Sequence, residues 1–336
     1  MGSQNMKVFK AAAAALIICT MSPSISAQET TNAIPASTET SALPVDVFMV
    51  SDNNDGLTIV ETRPGVEPEE PWQWASATKQ IIAVLIMQEV EAGRLSLDDT
   101  LDVRLPDYSK RKYDRITLRD LLMHTSGLKR PNRLPNTGTD PVAFCATKAG
   151  KKPGQKFAYN NCDTVLAAAV LERVTGEPWI QTAQAKIFDI AGMAQTKRLT
   201  APVTDGSVMT SGMPHLYGAA GALAGPPGDL LKFNEALMRG DLLKEQSLQT
   251  LWQSDPSKGY VALGVWVFSA PLKGCDGSVK IVERRGHIGN IQVRNMIAPD
   301  FGRSFVAFAD NADLDYGEIW MGAGVSYDLA SRAFCI

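Results

Sequence analysis

Hydrophobic positions along the chain change period twice, and the changes divide it into strand-like ends around a helix-like middle. Val45 to Val50 and Leu57 to Thr62 are short apolar or β-branched runs joined by a polar turn ending in Asp55-Gly56, which predicts a β-hairpin. Toward the other end, Tyr260 to Phe268, Ser278 to Arg284, Ile291 to Ile297 and Ser304 to Ala309 are further β-like runs separated by turns. Between them, Asp163 to Val174, Trp179 to Ile190 and Gly228 to Met238 carry helical patterns with Gly and Pro punctuation, and Tyr316 to Phe334 reads as a closing helix. The pattern predicts an α+β fold: one antiparallel sheet completed by both chain ends, flanking helices, and an inserted, mostly helical region over roughly residues 100–255. A cleft between sheet and insert is the expected ligand site.

One further segment is apolar on every face. Ile81, Ile82, Ala83, Val84, Leu85, Ile86 and Met87 follow one another without interruption, and such a helix belongs in a core. It opens with Ser76-Ala77-Thr78-Lys79. Residues three apart share a helical face, so Lys79 lies beside Ser76 at the helix start, where the dipole favours developing negative charge. The same S-x-x-K spacing recurs at Ser109 to Lys112 and at Ser126 to Lys129. The first of these is a solvated charge run and the second a turn beside Gly127 and Pro131, so neither begins a buried helix. Ser51-Asp52-Asn53 sits in the predicted hairpin turn, ahead of Ser76, and carries no chemistry in this reading.

Two later signals complete an ordered set. Tyr159-Asn160-Asn161 follows a Pro153-Gly154 prelude, and His287-Ile288-Gly289 precedes an alternating strand pattern. A serine with a lysine one helical turn away, a phenol to move its proton and a strand edge to hold substrate describe acyl transfer. A serine hydroxyl is a poor nucleophile at neutral pH, and a positioned general base is worth about 10²–10⁴-fold.

Composition places the chain in a compartment. Met6 to Met21 has the form of a signal peptide, with Lys7 and Lys10 before an apolar stretch too short to span a bilayer, and Ser26-Ala27 as the expected cleavage point. Residues 1–27 are therefore read as signal peptide, 28–43 as a disordered Ser/Thr/Ala/Pro leader, and 44–336 as the folded domain, periplasmic or secreted. The formal net charge is −3, and removal of two signal-segment lysines takes it to −5, so no large basic surface and no nucleic-acid partner is implied. No stable membrane span is expected after signal removal. Cys145, Cys162, Cys275 and Cys335 remain outside the signal segment, an even number that permits two disulfides by three pairings in an oxidising compartment. The local pairing of Cys145 with Cys162 is preferred and would leave Cys275 with Cys335. No C-x-x-C or His-rich spacing indicates zinc.

These residues together resemble the serine β-lactamase and penicillin-binding protein superfamily, in the branch holding class C β-lactamases, D-alanyl carboxypeptidases, D-aminopeptidases and related esterases. The segments that carry the resemblance are Trp74 to Lys79, Gly93 to Asp99, Leu121 to Leu128, Pro153 to Asn161 and Gly286 to Gly289. The resemblance implies that Ser76 forms an acyl-enzyme, that Lys79 and Tyr159 share its proton, and that Asn161 holds Lys79 and contacts a substrate amide. It also implies that His287 and Gly289 line the substrate edge and that the backbone N–H groups of Ser76 and Asn290 form the oxyanion hole. Penicillin-active relatives commonly carry lysine where His287 stands here; histidine is largely neutral at pH 7, which disfavours β-lactam carboxylates. His124 is read as structural, and His215 has no supporting pattern.

The expectation is a secreted serine hydrolase cleaving an ester, amide or peptide of small-molecule size, with neither metal nor organic cofactor. The alternatives are a D,D-peptidase or weak class C-like β-lactamase, and a non-catalytic penicillin-binding or sensor-type domain that keeps its acyl adduct.

Overall fold

The computed structural model describes residues 43–56, 58–108, 115–129, 138–146 and 151–335. The expected signal peptide, the leader up to residue 42, the Ser109 to Lys112 run and Pro131 lie outside them.

A six-stranded antiparallel sheet is built from both ends of the described chain. Its strands are β1 (Val47–Asp52), β2 (Thr58–Thr62), β3 (Trp266–Pro271), β4 (Ser278–Ile288), β5 (Ile291–Ala298) and β6 (Arg303–Asp310), in the spatial order β2-β1-β6-β5-β4-β3. The first and last segments meet in β1 and β6, where Val47 faces Phe308 and Ser51 faces Ser304. The two chain ends thus close one sheet, as the alternation predicts.

Alternate residues feed two cores because side chains on a strand point to opposite faces. Val47 and Met49 join Val293, Val306 and Phe308 under the helices of the insert, whereas Phe48 and Val50 join Phe305, Ala307 and Phe334 on the outer face. Helix α1 (Thr78–Glu91) runs through the inner core, with every residue from Thr78 to Met87 buried. Helices α2 (Asn161–Thr175) and α3 (Pro227–Arg239) complete that layer, and α4 (Val325–Phe334) covers the outer face. The long apolar run of α1 is explained by this placement between sheet and helices, which leaves no face for polar residues.

Some element boundaries differ from the periodicity. The run from Tyr260 yields a strand only from Trp266, because Tyr260 and Gly264 adopt positive φ and turn the chain first. The run from Ser278 continues four residues past Arg284, to Ile288. The closing helix starts at Val325 rather than Tyr316, since Gly317, Gly322 and Gly324 all have positive φ. Among the described residues, no helix is long and apolar enough to cross a membrane.

Disulfides join Cys145 to Cys162 and Cys275 to Cys335. The first pins the opening turn of α2; the second ties the connection between β3 and β4 to the end of α4.

Candidate active site

Strand β4 is longer than its outer neighbour. Pairing with β3 stops at Trp266 opposite Glu283, so Arg284 to Ile288 have no β3 partner on that edge. The turn Ala75–Ala77, which leads into α1, packs against β4. Gly286 permits the approach, because a Cβ there would collide with the Trp74 carbonyl oxygen and crowd Val293. Ala75 adopts φ +46°, a conformation rare outside glycine, and it turns the chain immediately before Ser76. Ser76 is half-buried at the top of α1.

Three side chains converge there. Ser76 Oγ lies 2.5 Å from Tyr159 Oη and 2.9 Å from Lys79 Nζ. The Lys79 ammonium also donates to the Ala220 carbonyl and stands 5.1 Å from the Tyr159 ring centre. Lys79 is 1% exposed, so the first-turn lysine is more deeply buried than the sequence suggests.

A fourth residue, which no sequence motif singled out, completes the cluster. Arg284, 2% exposed, donates from Nε to the Ser76 carbonyl at 2.8 Å, from Nη1 to the Gly264 carbonyl at 3.1 Å and from Nη2 to Tyr159 Oη at 3.2 Å. Its guanidinium stands between the rings of Tyr159 and Trp266, at 5.6 and 5.2 Å from their centres.

Burial sets the electrostatics. It brings Lys79 down to about 8, with the Tyr159 hydroxyl opposing the change and Arg284 adding to it. For Tyr159 burial works upward, but the cations of Lys79 and Arg284 and the hydrogen bonds from Lys79 and Ser76 outweigh it and bring the phenol down to about 8. Two groups that could exchange a proton with Ser76 are therefore poised just above neutral pH.

The other expected site residues are placed differently. Asn161 opens α2, and its Oδ1 is buried without a hydrogen-bond partner; the Lys79 ammonium donates instead to Ser76 and Ala220. His287 is exposed, with Nε2 3.1 Å from the Gly289 carbonyl oxygen, and does not share the Ser76 cluster. Gly289 and Asn290 form the two-residue loop between β4 and β5; Gly289 has φ +55°, as a type II′ hairpin requires at its first position. The Asn290 N–H donates to Ser211 Oγ at 3.3 Å. The segment that meets Ser76 is thus Arg284-Arg285-Gly286, three residues earlier than His287-Ile288-Gly289. A Gly-Asn pair between Ile288 and Ile291 was the available signal, since a two-residue hairpin loop there forces the strand edge to end before it.

His124 supports Tyr159 from behind. It has φ +54°, its ring centre is 4.6 Å from that of Tyr159, and its Nδ1 is 2.9 Å from Asp163 Oδ2. Ser126 donates to the other Asp163 oxygen at 2.5 Å, so this S-x-x-K serine is a buried structural donor. Burial pushes Asp163 well up and His124 well down, so it disfavours charge on either member of the pair. Among the described residues, no group of three or more His, Cys, Asp or Glu side chains is placed to hold a metal ion.

A family model described as Beta-lactamase matches residues 33–271. The chain belongs to the beta-lactamase family. A protein of Bacillus subtilis (strain 168), provisionally named penicillin-binding protein PbpX, is 28% identical over 214 residues, 58% of this chain and 53% of that protein. The beta-lactamase-family chain thus spans about half the length of that relative. A D-stereospecific amidohydrolase from Streptomyces sp. superimposes with a TM-score of 0.69 at 24% identity, over 87% of this chain and 94% of that one. A D-amino acid amidase from Ochrobactrum anthropi SV3, complexed with L-phenylalanine amide, gives a TM-score of 0.68 at 18% identity, covering 85% and 91%. At these identities the structural matches establish the fold.

Proposed function

We propose that this beta-lactamase-family protein hydrolyses an ester or amide through an acyl-enzyme on Ser76. The observation that carries the reading is the Ser76 Oγ contact with both Tyr159 Oη and Lys79 Nζ. In the first half-reaction Ser76 Oγ attacks the substrate carbonyl while its proton passes to the Tyr159–Lys79 pair. The pair then protonates the departing alcohol or amine. In the second, water attacks the ester to Ser76 and gives one proton to the pair, which passes it to the departing Ser76 Oγ, so the acid and the free serine are released.

Strand β4 supports an oxyanion site different from the one the resemblance implies. The turn bond across Gly289-Asn290 makes Ile288 and Ile291 a hydrogen-bonded pair, and alternation along an antiparallel ladder then directs the His287 N–H toward the free edge facing Ser76. The backbone N–H groups of Ser76 and His287 are therefore the proposed oxyanion donors, in place of the Asn290 N–H already engaged by Ser211.

An amide-bearing substrate is favoured by Asn161, whose Oδ1 has no protein partner and would accept a substrate N–H once the side chain turns out of its buried position. The amidase-like structural neighbours point the same way. Arg284 carries a positive charge beside Ser76, yet it is buried and bonded to three protein oxygens, so it is a poor receptor for a substrate carboxylate. A D,D-peptidase or weak class C-like β-lactamase, implied by the family resemblance, is the second reading. Two disulfides suit an exported protein.

The test is intact-mass analysis and turnover with p-nitrophenyl esters, D-amino-acid amides and a chromogenic cephalosporin. Transient acylation of wild type with ester or amide turnover, absent in Ser76→Ala, is expected. Persistent acylation without turnover would indicate the sensor-type alternative, and no adduct with any of them would remove Ser76 as nucleophile.

A further inference from the structure

Glu283 and Arg285 flank Arg284 in β4, and alternation sends their side chains to the opposite face of the sheet from Ser76. On that face lies a pocket of about 480 Å³, walled by Tyr260, Trp266, Phe268 and Trp320 with Glu283 and Arg285 among its lining. The volume falls within the range of small-molecule sites.

The walls are aromatic and open. Phe268 and Trp320 meet edge to face with centres 5.7 Å apart, and Trp320 remains 59% exposed. Tyr260 is 49% exposed and is held at the rim by a backbone with φ +62°, a conformation that a tyrosine rarely adopts. Burial of large aromatic surface is the ordinary outcome, so exposed rings around a concavity mark an unfilled contact.

The charged lining is already paired. Arg285 donates to both Glu283 oxygens at 2.7 and 2.9 Å and to both Glu318 oxygens at 2.7 and 2.5 Å. Arg294 Nε stands 3.7 Å from the same Glu283 carboxylate, so two guanidinium groups offset two carboxylates and neither sign is left free to hold a charged ligand; the Arg285 guanidinium lies 6.0 Å from the Trp320 ring centre. What remains on offer is flat π surface over a neutralised polar lining.

We propose that this pocket is a binding site, separate from the Ser76 cleft, for a flat, uncharged aromatic ring. The site takes such a ring against the exposed Trp320 indole, which the Phe268 edge backs, in the offset or edge-on arrangements that aromatic pairs prefer.

The test is binding of 5-fluoroindole to the full chain, followed by ¹⁹F NMR, with cyclohexanol and benzyltrimethylammonium as competitors. Wild type should show one saturable site, and Trp320→Ala should weaken it by about tenfold, the scale of a lost aromatic contact. Trp320→Phe should recover most of that loss, and ester hydrolysis should stay unchanged in both variants. Acylating Ser76 should leave binding intact. The proposal fails if wild type shows no saturable binding, if Trp320→Ala binds as well as wild type, or if acylation of Ser76 displaces the ring. It also fails if benzyltrimethylammonium binds and 5-fluoroindole does not.

Discussion

The Arg284 guanidinium reaches the Tyr159 hydroxyl at 3.2 Å while its Nε holds the Ser76 carbonyl at 2.8 Å. One strand residue thereby fixes the backbone of the proposed nucleophile and places a permanent cation against the phenol. Arg284→Met should raise the Tyr159 pKa and move the alkaline rise of kcat/KM to higher pH; activity at pH 7 should fall about tenfold for every pH unit the rise moves. Arg284→Lys should recover part of that change but not the three-point anchoring, since ammonium lacks the planar fork. His287→Ala should leave kcat/KM within about twofold, as for other exposed substitutions. A selectivity change from His287→Ala larger than that of Arg284→Met would return the substrate edge to His287.

The Lys79–Tyr159 pair predicts a pH profile. Both groups are brought to about 8, so kcat/KM for a neutral ester should rise with pH and level off above that value. Tyr159→Phe should lose most of the activity across the whole range. A flat wild-type profile between about pH 6 and 9 would remove the pair as the base.

The same lowered values predict stability. Lys79 falls from 10.5 to about 8 on folding and Tyr159 from 10.0 to about 8. Between about pH 8 and 10 the unfolded chain therefore binds more protons, and these groups make stability rise with pH. Their contribution is lost as pH falls through about 8. Lys79→Met removes one group and a cation from the other, so the stability advantage of that variant over wild type should shrink from pH 7 to pH 9.5 in urea denaturation. A constant difference would contradict the linkage.

Gly286→Ala tests the approach of strand β4 to the turn that carries Ser76. The added methyl would meet the Trp74 carbonyl, which is backbone and cannot rotate away. Overpacking of this kind costs about 1–3 kcal/mol, and acylation should fall further than stability because β4 is pushed from Ser76. Denaturation and burst-phase acylation of the same variant provide the check.

The disulfides should separate by function. Loss of either bridge should cost about 2–4 kcal/mol. The Cys145→Ser/Cys162→Ser variant should also slow acylation at temperatures where it stays folded, because Cys162 lies three residues after Tyr159 at the start of α2. The bridge lost in Cys275→Ser/Cys335→Ser ties sheet to α4, and its removal should leave acylation unchanged.

Local spacing was enough to place Ser76 beside Lys79, because a helix brings residues three apart together whatever surrounds it. The seven apolar residues from Ile81 likewise required a buried helix, and alternation at both chain ends called for a shared sheet. The four cysteines made two bridges possible without deciding their partners. What the chain alone did not decide was which residue of the last hairpin meets Ser76. Two x-Gly triplets lie three residues apart there, and sequence resemblance selected the one containing His287. The fold selects Arg284 and Gly286 because Gly289-Asn290 is spent on the turn and because only Gly286 lets β4 approach Trp74. The lowered pKa values of Lys79 and Tyr159 are tertiary as well, since desolvation and the field of Arg284 exist only once strand, helix and loop have closed around them.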